Sequence, residues 1–431
     1  MVKKLFVILI LLNGSFAYAE TIKTDVLVIG NGASAVTAAM QSARSKLKTV
    51  LIVKGSWLEG MQEQKMITVN TNRNLPSGIW GDFRKEIRNY YKTTAGYDTT
   101  YNAPLAFEPF TGAAILKKMA DTVKRLTIKL NAPFTSIKKN GTGWDVTITV
   151  NGKTDVIKAK VVIDATETGE IVLKAKGTLP TPFNTETDNQ GNLYRTSIAV
   201  GDLADKPKPY TIPMRNVVVK DADNLLITDK ALPYQLSLQY LPIQMTLGQG
   251  VGTIAAYCAF FKTTTKELKV RPTQIELLDF KGLIMPFDDI DPRDHYYRSI
   301  QQIGAIGLLK GIRKGDVNDP KLYFMPDSAV TTAEVQPVLT EVYTRAFLWF
   351  NKVKPGQQFT VGNLLSFISE ITLSEPKPLQ ITIQKAWKTE YKFTSDFDTE
   401  RPITRREFAI LANKFLNPFA RTVDMEGNVV N

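Results

Sequence analysis

The segment from Asp25 to Val53, DVLVIGNGASAVTAAMQSARSKLKTVLIV, constrains the fold more than any other part of the chain. Asp25 to Ile29 is a short apolar run rich in β-branched residues, the pattern of a strand buried on both faces of a parallel sheet. Gly30, Gly32 and Ala35 follow at the spacing G-x-G-x-x-A. A helix comes next, with Ala35, Ala38, Ala39 and Ala43 on closely spaced faces, and Thr49 to Val53 reads as a second strand. Gly30 permits a tight turn, Gly32 lets the backbone approach a pyrophosphate, and Ala35 lets the helix pack close to the strand. The helix N-terminus offers unpaired N–H groups and a partial positive charge to phosphates. The spacing alone is weak, and a bland βαβ turn is the alternative; placed between a strand and a helix, it points to dinucleotide binding.

One element departs from that pattern. A carboxylate that would accept ribose hydroxyls is expected at the end of the second strand. Lys54 stands there instead, followed by Gly55. Lys54 suits an additional phosphate, or marks weakened cofactor binding. Glu59 is near enough in sequence to substitute if the loop folds back.

Composition removes several function classes. At about 150 residues per domain, 431 residues suggest two to three domains. Hydrophobic residues make up 43% and charged residues 22%, which excludes a wholly disordered or collagen-like chain. The single cysteine, Cys258, excludes a disulfide scaffold and a thiolate-held iron–sulfur cluster; in an apolar helix it reads as a small buried hydrophobe. The single histidine, His295, rules out a multi-histidine metal site, and no metal is expected. Lys+Arg exceed Asp+Glu by 54 to 42, but the basic residues are scattered and no basic run alternates with aromatics. Nucleic acid is therefore not an expected partner.

The first residues, MVKKLFVILILLNGSFAYAE, have the three parts of a secretory signal: Lys3 and Lys4, an apolar run from Leu5 to Leu12, and a small-residue cleavage site at Ala17-Tyr18-Ala19. The apolar run is too short to cross a hydrocarbon core that needs about 20 residues. An exported protein, periplasmic or secreted, is expected, with no transmembrane segment after removal of residues 1–19.

Phe134 to Thr166 reads as a meander, with a turn at Asn140-Gly141-Thr142-Gly143, an alternating strand from Trp144 to Val150, and a hairpin signal at Asn151-Gly152. A strand at Asp155 to Lys160 and a further apolar strand at Val161 to Ile163 then lead into Thr166 and a turn at Gly169. Further on, Asn224 to Thr228 is another buried strand. Gly248, Gly250 and Gly252 are expected at the start of an Ala-rich helix from about Thr253 to Phe261. A glycine-rich helix start suits the middle of a long cofactor. The alternative is a helix packed tightly on the sheet.

The order strand–GxGxxA–helix, WLEGM, LPSGIWGDFRKEIRNYY, FEPFTGAAIL, VVIDATETGE and LGQGVGTIAA resembles the FAD-dependent oxidoreductases related to fumarate reductase flavoproteins and the glutathione-reductase superfamily. It is most similar to their exported bacterial branch, over roughly residues 24–265. The resemblance implies an α/β fold: a Rossmann-like FAD/NAD(P)-binding domain with an inserted β-meander and cap. It implies FAD as cofactor and hydride transfer between flavin and a small polar substrate. Gly30, Gly32, Ala33, Ser34 and Ala35 would take the pyrophosphate, with Lys54 at the adenosine end. Thr166 and Gly169 would lie near the adenosine half, and Gly248, Gln249 and Gly250 beside the flavin and ribityl chain. The family pattern has Glu at Lys54, paired glycines at Glu59-Gly60, a Gly/Ala-rich segment where QEQKMITVNTNR stands, and an arginine near Gln239-Tyr240. Those departures leave a second reading open: a catalytically degenerate Rossmann-like binding protein. Arg84, Glu86 and Tyr90 do not share one helix face, so a solvated face is expected there; no catalytic residue is assigned.

Beyond about Lys266 the composition shifts to a mainly helical region. Ile300, Ile303, Ile306 and Leu308 suggest an amphipathic helix broken at Gly304 and Gly307. Thr331 with Glu334, and Thr404 with Glu407, have the spacing of capping boxes. The order F-x-D, H-Y-Y, G-L-L-K-G and F-x-P-x-x-x-V-T-x-A-E resembles S-layer homology modules, which implies attachment to a cell-envelope polysaccharide, with Arg405 at a position that often matters there. The organisation expected is a signal peptide at 1–19, an oxidoreductase-like domain at 20–265 with insertions at about 62–135 and 178–215, and an S-layer-homology-like region at 266–431.

Overall fold

The computed structural model describes residues 21–69, 75–101, 103–184, 191–201, 209–233, 237–315 and 321–430. The expected signal peptide lies outside these residues, as do parts of the two expected insertions and of the QEQKMITVNTNR segment.

Strand β1 (Thr21–Gly30) leads into α1 (Ala33–Arg44), and β2 (Thr49–Ile52) returns parallel to β1, with Val26 beside Thr49 and Ile29 beside Ile52. Val26, Leu27 and Val28 are fully buried, which is why their run is continuously apolar rather than alternating. Each such side chain contributes about 1.5–3 kcal/mol of hydrophobic stabilisation. A short antiparallel pair, β3 (Ile67–Val69) and β4 (Leu105–Phe107), flanks α2 (Gly78–Tyr91). Helix α3 (Pro109–Asp121) then delivers β5 (Leu126–Lys129) parallel to β2. The stretch expected as a first insertion thus contains a helix and strand of the main layer.

The meander is present as β6 (Phe134–Asn140), β7 (Gly143–Val150) and β8 (Lys153–Ala165). Asn151 and Gly152 both have positive φ (50° and 74°), as a two-residue hairpin turn of this kind requires. The two strands expected between Asp155 and Ile163 are one continuous strand. Along one edge it runs parallel to β1 from Val156 to Ala165; along the other its first half pairs antiparallel with β7 and its second half parallel with β11 (Leu225–Ile227). Burial changes from one face to both at Val161, so the pattern changes while the backbone does not break. Among the described residues the parallel part reads β5-β2-β1-β8-β11, with β7 and β6 continuing beyond the first half of β8.

Helix α4 (Glu170–Lys174) follows β8, and β9 (Ser197–Gly201) pairs with β10 (Tyr210–Pro213). Helix α5 spans Leu241–Phe261, twelve residues earlier than the expected start near Thr253. Its glycines lie inside the helix, where α5 crosses α1. A Cβ on Gly248 would stand 2.3 Å from the Ser34 carbonyl oxygen, and one on Gly252 would stand 2.4 Å from that of Ala38. On the opposite side, a Cβ on Gly250 would stand 2.3 Å from the Ile198 carbonyl oxygen of β9. The close crossing, not a turn, requires these glycines.

The C-terminal region contains α6 (Val270–Asp279), α7 (Tyr297–Ile306), a small hairpin of β12 (Ile312–Lys314) and β13 (Lys321–Tyr323), and helices α8 (Thr332–Val342), α9 (Ala346–Val353), α10 (Val361–Thr372), α11 (Pro376–Thr389) and α12 (Arg405–Phe415). Helix α7 runs through Gly304, which abuts the Phe287 ring, and ends at Gly307 in the left-handed region (φ 89°). Two cores result: one from Val26 to Val270, the other from Leu277 to Val423 with Val200 added from β9. The architecture is α/β: a Rossmann-like domain with an inserted meander, followed by a mainly helical C-terminal region.

Helix caps organise the second unit. Thr404 and Glu407 form the expected reciprocal box, but Thr331 only accepts from the Glu334 N–H. The Glu334 carboxylate is drawn away by Arg405. A third cap, Thr360 with Asn363, completes the set. The segments before these helices bridge one another in a closed triangle, Ala329 to Thr404, Thr331 to Gln358 and Thr360 to Pro402. Arg405 is buried, donating to the Phe324 and Lys310 carbonyls as well as to Glu334, so it braces the fold from inside. His295 is exposed, edge-on to Tyr296 at 4.7 Å.

Candidate cofactor site

A cavity of about 680 Å³ opens at the carboxyl ends of β1, β2 and β8, within the range of small-molecule sites. This is where ligands settle in open parallel sheets. Gly30, Gly32, Ala33, Lys54 and Thr166 line it, joined by Glu59 and Asp229. Its far end reaches Leu238, Leu241 and Gln244 at the first turn of α5.

The α1 end is open to a ligand. Gly32 is the N-cap, no side chain caps the helix, and its first turn carries no acid. The N–H groups there are available to an anion, and the helix dipole favours one. Gly30 has a different job from the expected turn: a Cβ would stand 2.1 Å from the Ala165 carbonyl oxygen, so glycine is needed where β1 and β8 draw close. Ser34 and Ala35 are buried within α1, behind the cavity wall.

The loop after β2 does fold back. Asn31 ties it down, donating to the Ser56 carbonyl at 3.0 Å and accepting from the Leu58 N–H at 2.8 Å. Glu59 accepts from the Ser56 N–H at 2.7 Å, which sets its carboxylate beside Gly55 at the end of β2. Lys54 and Glu59 therefore face the same end of the cavity.

Thr166 contributes a wall rather than a free hydroxyl. Its Oγ1 donates to Asp164 at 2.6 Å and accepts from the Gly169 and Glu170 N–H groups. Asp164 is fully buried and also accepts from the Ile171 and Val172 N–H groups, so it caps α4. Burial raises its carboxyl above the usual range, against the pull of those bonds. Gly169 does not line the cavity; it is the left-handed N-cap of α4 (φ 71°), covered by Leu179.

Gly248, Gln249 and Gly250 do not reach the cavity either, because α1 and β9 cover them. Gln249 is a buried junction: it accepts from the Ile79 N–H at 3.0 Å and donates to Gln41 at 3.1 Å and to the Phe280 carbonyl at 3.2 Å. Arg84 is likewise no surface residue. It is fully buried, donates to the Tyr101 and Ala103 carbonyls, and burial brings it down to about 9. Burial pushes the Cys258 thiol up to about 12, so it stays protonated.

The residue that sequence reasoning missed is Asp229, one position past the Asn224 to Thr228 run. Its Oδ1 accepts the Ser34 hydroxyl, and its Oδ2 would lie 3.0 Å from a Cβ on Gly32. Burial pushes this carboxyl up to about 7; the Ser34 bond opposes the rise and the charges of Glu167 and Asp164 add to it. The signal was available: a carboxylate immediately after a buried parallel strand points into the same crevice as the glycine turn. A bare glycine at an uncapped helix start, a buried carboxylate beside it and an elongated cavity fit a dinucleotide with a hydroxylated chain.

Residues 25–196 match the family described as FAD dependent oxidoreductase. The cofactor is FAD. Similar solved structures include a flavoprotein/dehydrogenase from Cytophaga hutchinsonii, at 15% identity and TM-score 0.38, covering 66% of this chain and 92% of that one. Another is the bacillithiol disulfide reductase of Staphylococcus aureus, at 16% identity and TM-score 0.24, covering 34% and 38%. A third is p-nitrophenol 4-monooxygenase from Pseudomonas putida DLL-E4, at 14% identity and TM-score 0.25, covering 34% and 41%. The chain thus spans about two fifths of the length of the last two enzymes. No curated protein matches the chain. Among the described residues no helix is long and apolar enough to cross a membrane.

Proposed function

We propose that this chain is an exported FAD-dependent oxidoreductase acting on a small polar substrate. The observation that carries the reading is the cavity itself, which runs from the uncapped start of α1 past Gly32 and Asp229 to the first turn of α5. The α1 N–H groups would hold the diphosphate. Glu59, rather than a residue at the end of β2, would accept the adenosine ribose hydroxyls, with Lys54 beside it. Asp229 Oδ2 would accept a hydroxyl of the ribityl chain. When bound, FAD supplies the two-electron chemistry, and the protein supplies orientation and charge. Leu238 and Leu241 would keep water from the reacting end. Export rests on the leader-like first residues.

A second reading has one observation in its favour. The surface along Gly248 to Gly252, where the family resemblance placed the flavin, is closed by α1. A degenerate binding protein, held to a cell-envelope polymer through its C-terminal region, would have that feature. The visible spectrum of the purified chain decides between them. The enzyme reading expects yellow absorbance that dithionite bleaches and air restores. Colourless protein that refuses added FAD supports the binding protein.

A further inference from the structure

A second cavity, about 900 Å³, lies between α2, the segment around Tyr101, and the chain at Phe280-Lys281 and Pro292-Arg293. It is separate from the cofactor crevice, and its walls are basic. Lys85, Arg88 and Lys92 project from α2 at i, i+3 and i+7, one ridge of the helix, and Lys281 and Arg293 approach from other segments. The acids in the cleft are already matched: Asp82 pairs with Arg44 at 3.0 Å, and Asp279 pairs with Arg298. By contrast, Lys85, Lys92 and Lys281 have no carboxylate partner among the described residues.

The cleft is built rather than accidental. The buried Arg84 holds the Tyr101 and Ala103 carbonyls, and Arg88 also donates to Ala103. Ser77 donates to the Lys281 carbonyl and lies 3.2 Å from the Tyr297 hydroxyl, which ties the start of α2 to the opposite wall. Gln249 joins Ile79 to Phe280 beneath them.

We infer that this cleft binds an acidic oligosaccharide, a chain of sugars carrying carboxylate groups. Three features select that class. First, the free cations are lysine ammonium groups spread over about 10 Å of helix, at seven residues of about 1.5 Å rise. That suits repeated, spaced anions better than a single phosphate. Second, the guanidinium groups best shaped to clamp a phosphate are committed: Arg88 to Ala103 and Arg293 to Asp291. Third, the Arg293 guanidinium covers one face of the Tyr101 ring at 4.0 Å, which leaves less of it for a nucleobase to stack on, while Asn89 and Thr99 supply polar groups for sugar hydroxyls. Nothing here depends on the flavin reading.

The test is a calorimetric titration of the full chain as purified with a hexa-uronate, beside a neutral hexasaccharide, an oligo-dT and a poly-glutamate peptide of matched charge. The same titrations are run on Lys85→Glu/Lys92→Glu, whose melting temperature and FAD content are checked against wild type. The hexa-uronate is expected to bind most tightly, to weaken with added salt, and to lose roughly tenfold or more in the double variant. Equal binding by the variant, no binding by wild type, or tighter binding of oligo-dT or poly-glutamate overturns the assignment.

Discussion

Asp229 accepts the hydroxyl of Ser34, and through that bond a buried carboxylate at the end of β11 is fixed to the first turn of α1. The pair places an acid against the bare backbone of Gly32, where a diphosphate would approach. The raised affinity of Asp229 for a proton lessens the repulsion that an ionised carboxylate would exert there.

That proton has a stability consequence. With a folded value of about 7 against an ordinary value near 3.8, the folded apoprotein keeps a proton that the unfolded chain has lost. The associated stability is full below about pH 4 and is lost as pH rises through about 7. Asp229→Asn removes this dependence, so urea unfolding should show the apo variant more stable than wild type at pH 8, by at most roughly 4 kcal/mol. The advantage should shrink towards pH 5. A constant difference across that range would mean that Asp229 is ionised throughout.

The α5 glycines and Gly32 should separate cleanly. Gly248→Val drives a side chain into the Ser34 backbone and should cost about 1–3 kcal/mol or more in apo unfolding. Gly32→Val should cost the apoprotein less, about 1 kcal/mol, because only the Asp229 carboxylate, 3.0 Å from the new Cβ, has to give and the helix start loses a favoured residue. If Gly248→Val unfolds like wild type but sheds flavin, the helix crossing is not its role.

Those glycines also show how far the sequence was legible. The β1–α1–β2 segment could be read because its apolar run, spacing and alanines all demand the same local structure. At Gly248 to Gly252 the composition serves two geometries, a phosphate-facing turn and a close helix crossing, and only the position of α1 separates them. The fold-back of Glu59 was conditional for a similar reason: it depends on Asn31 gripping the loop from another element. The Thr360 cap escaped notice because Asn363, not an acid, completes it. The burial of Arg405 depends on carbonyls about 80 and 95 residues away, which no local pattern encodes.

Glu59→Gln should weaken FAD binding roughly tenfold, the worth of a hydrogen bond to a charged group. Lys54→Gln should change it by less than about threefold, since Lys54 is exposed and a surface charge contributes little. Fluorescence titration of the two apo variants checks this. The reverse order would assign the ribose end to Lys54 and an added phosphate.

Arg405→Met leaves Glu334 without its partner and two carbonyls without a donor. Unfolding of the C-terminal unit should be easier by about 3 kcal/mol. A variant as stable as wild type, within about 0.5 kcal/mol, would return Arg405 to the role of a ligand contact.

The most direct test of the whole account is a titration of apoprotein with FAD, comparing wild type and Gly32→Val. Wild type should bind one FAD per chain, and the variant should lose at least about a hundredfold in affinity while its apo form still unfolds cooperatively, within about 1 kcal/mol of wild type. Equal affinity for both would contradict the assignment of the diphosphate to the start of α1.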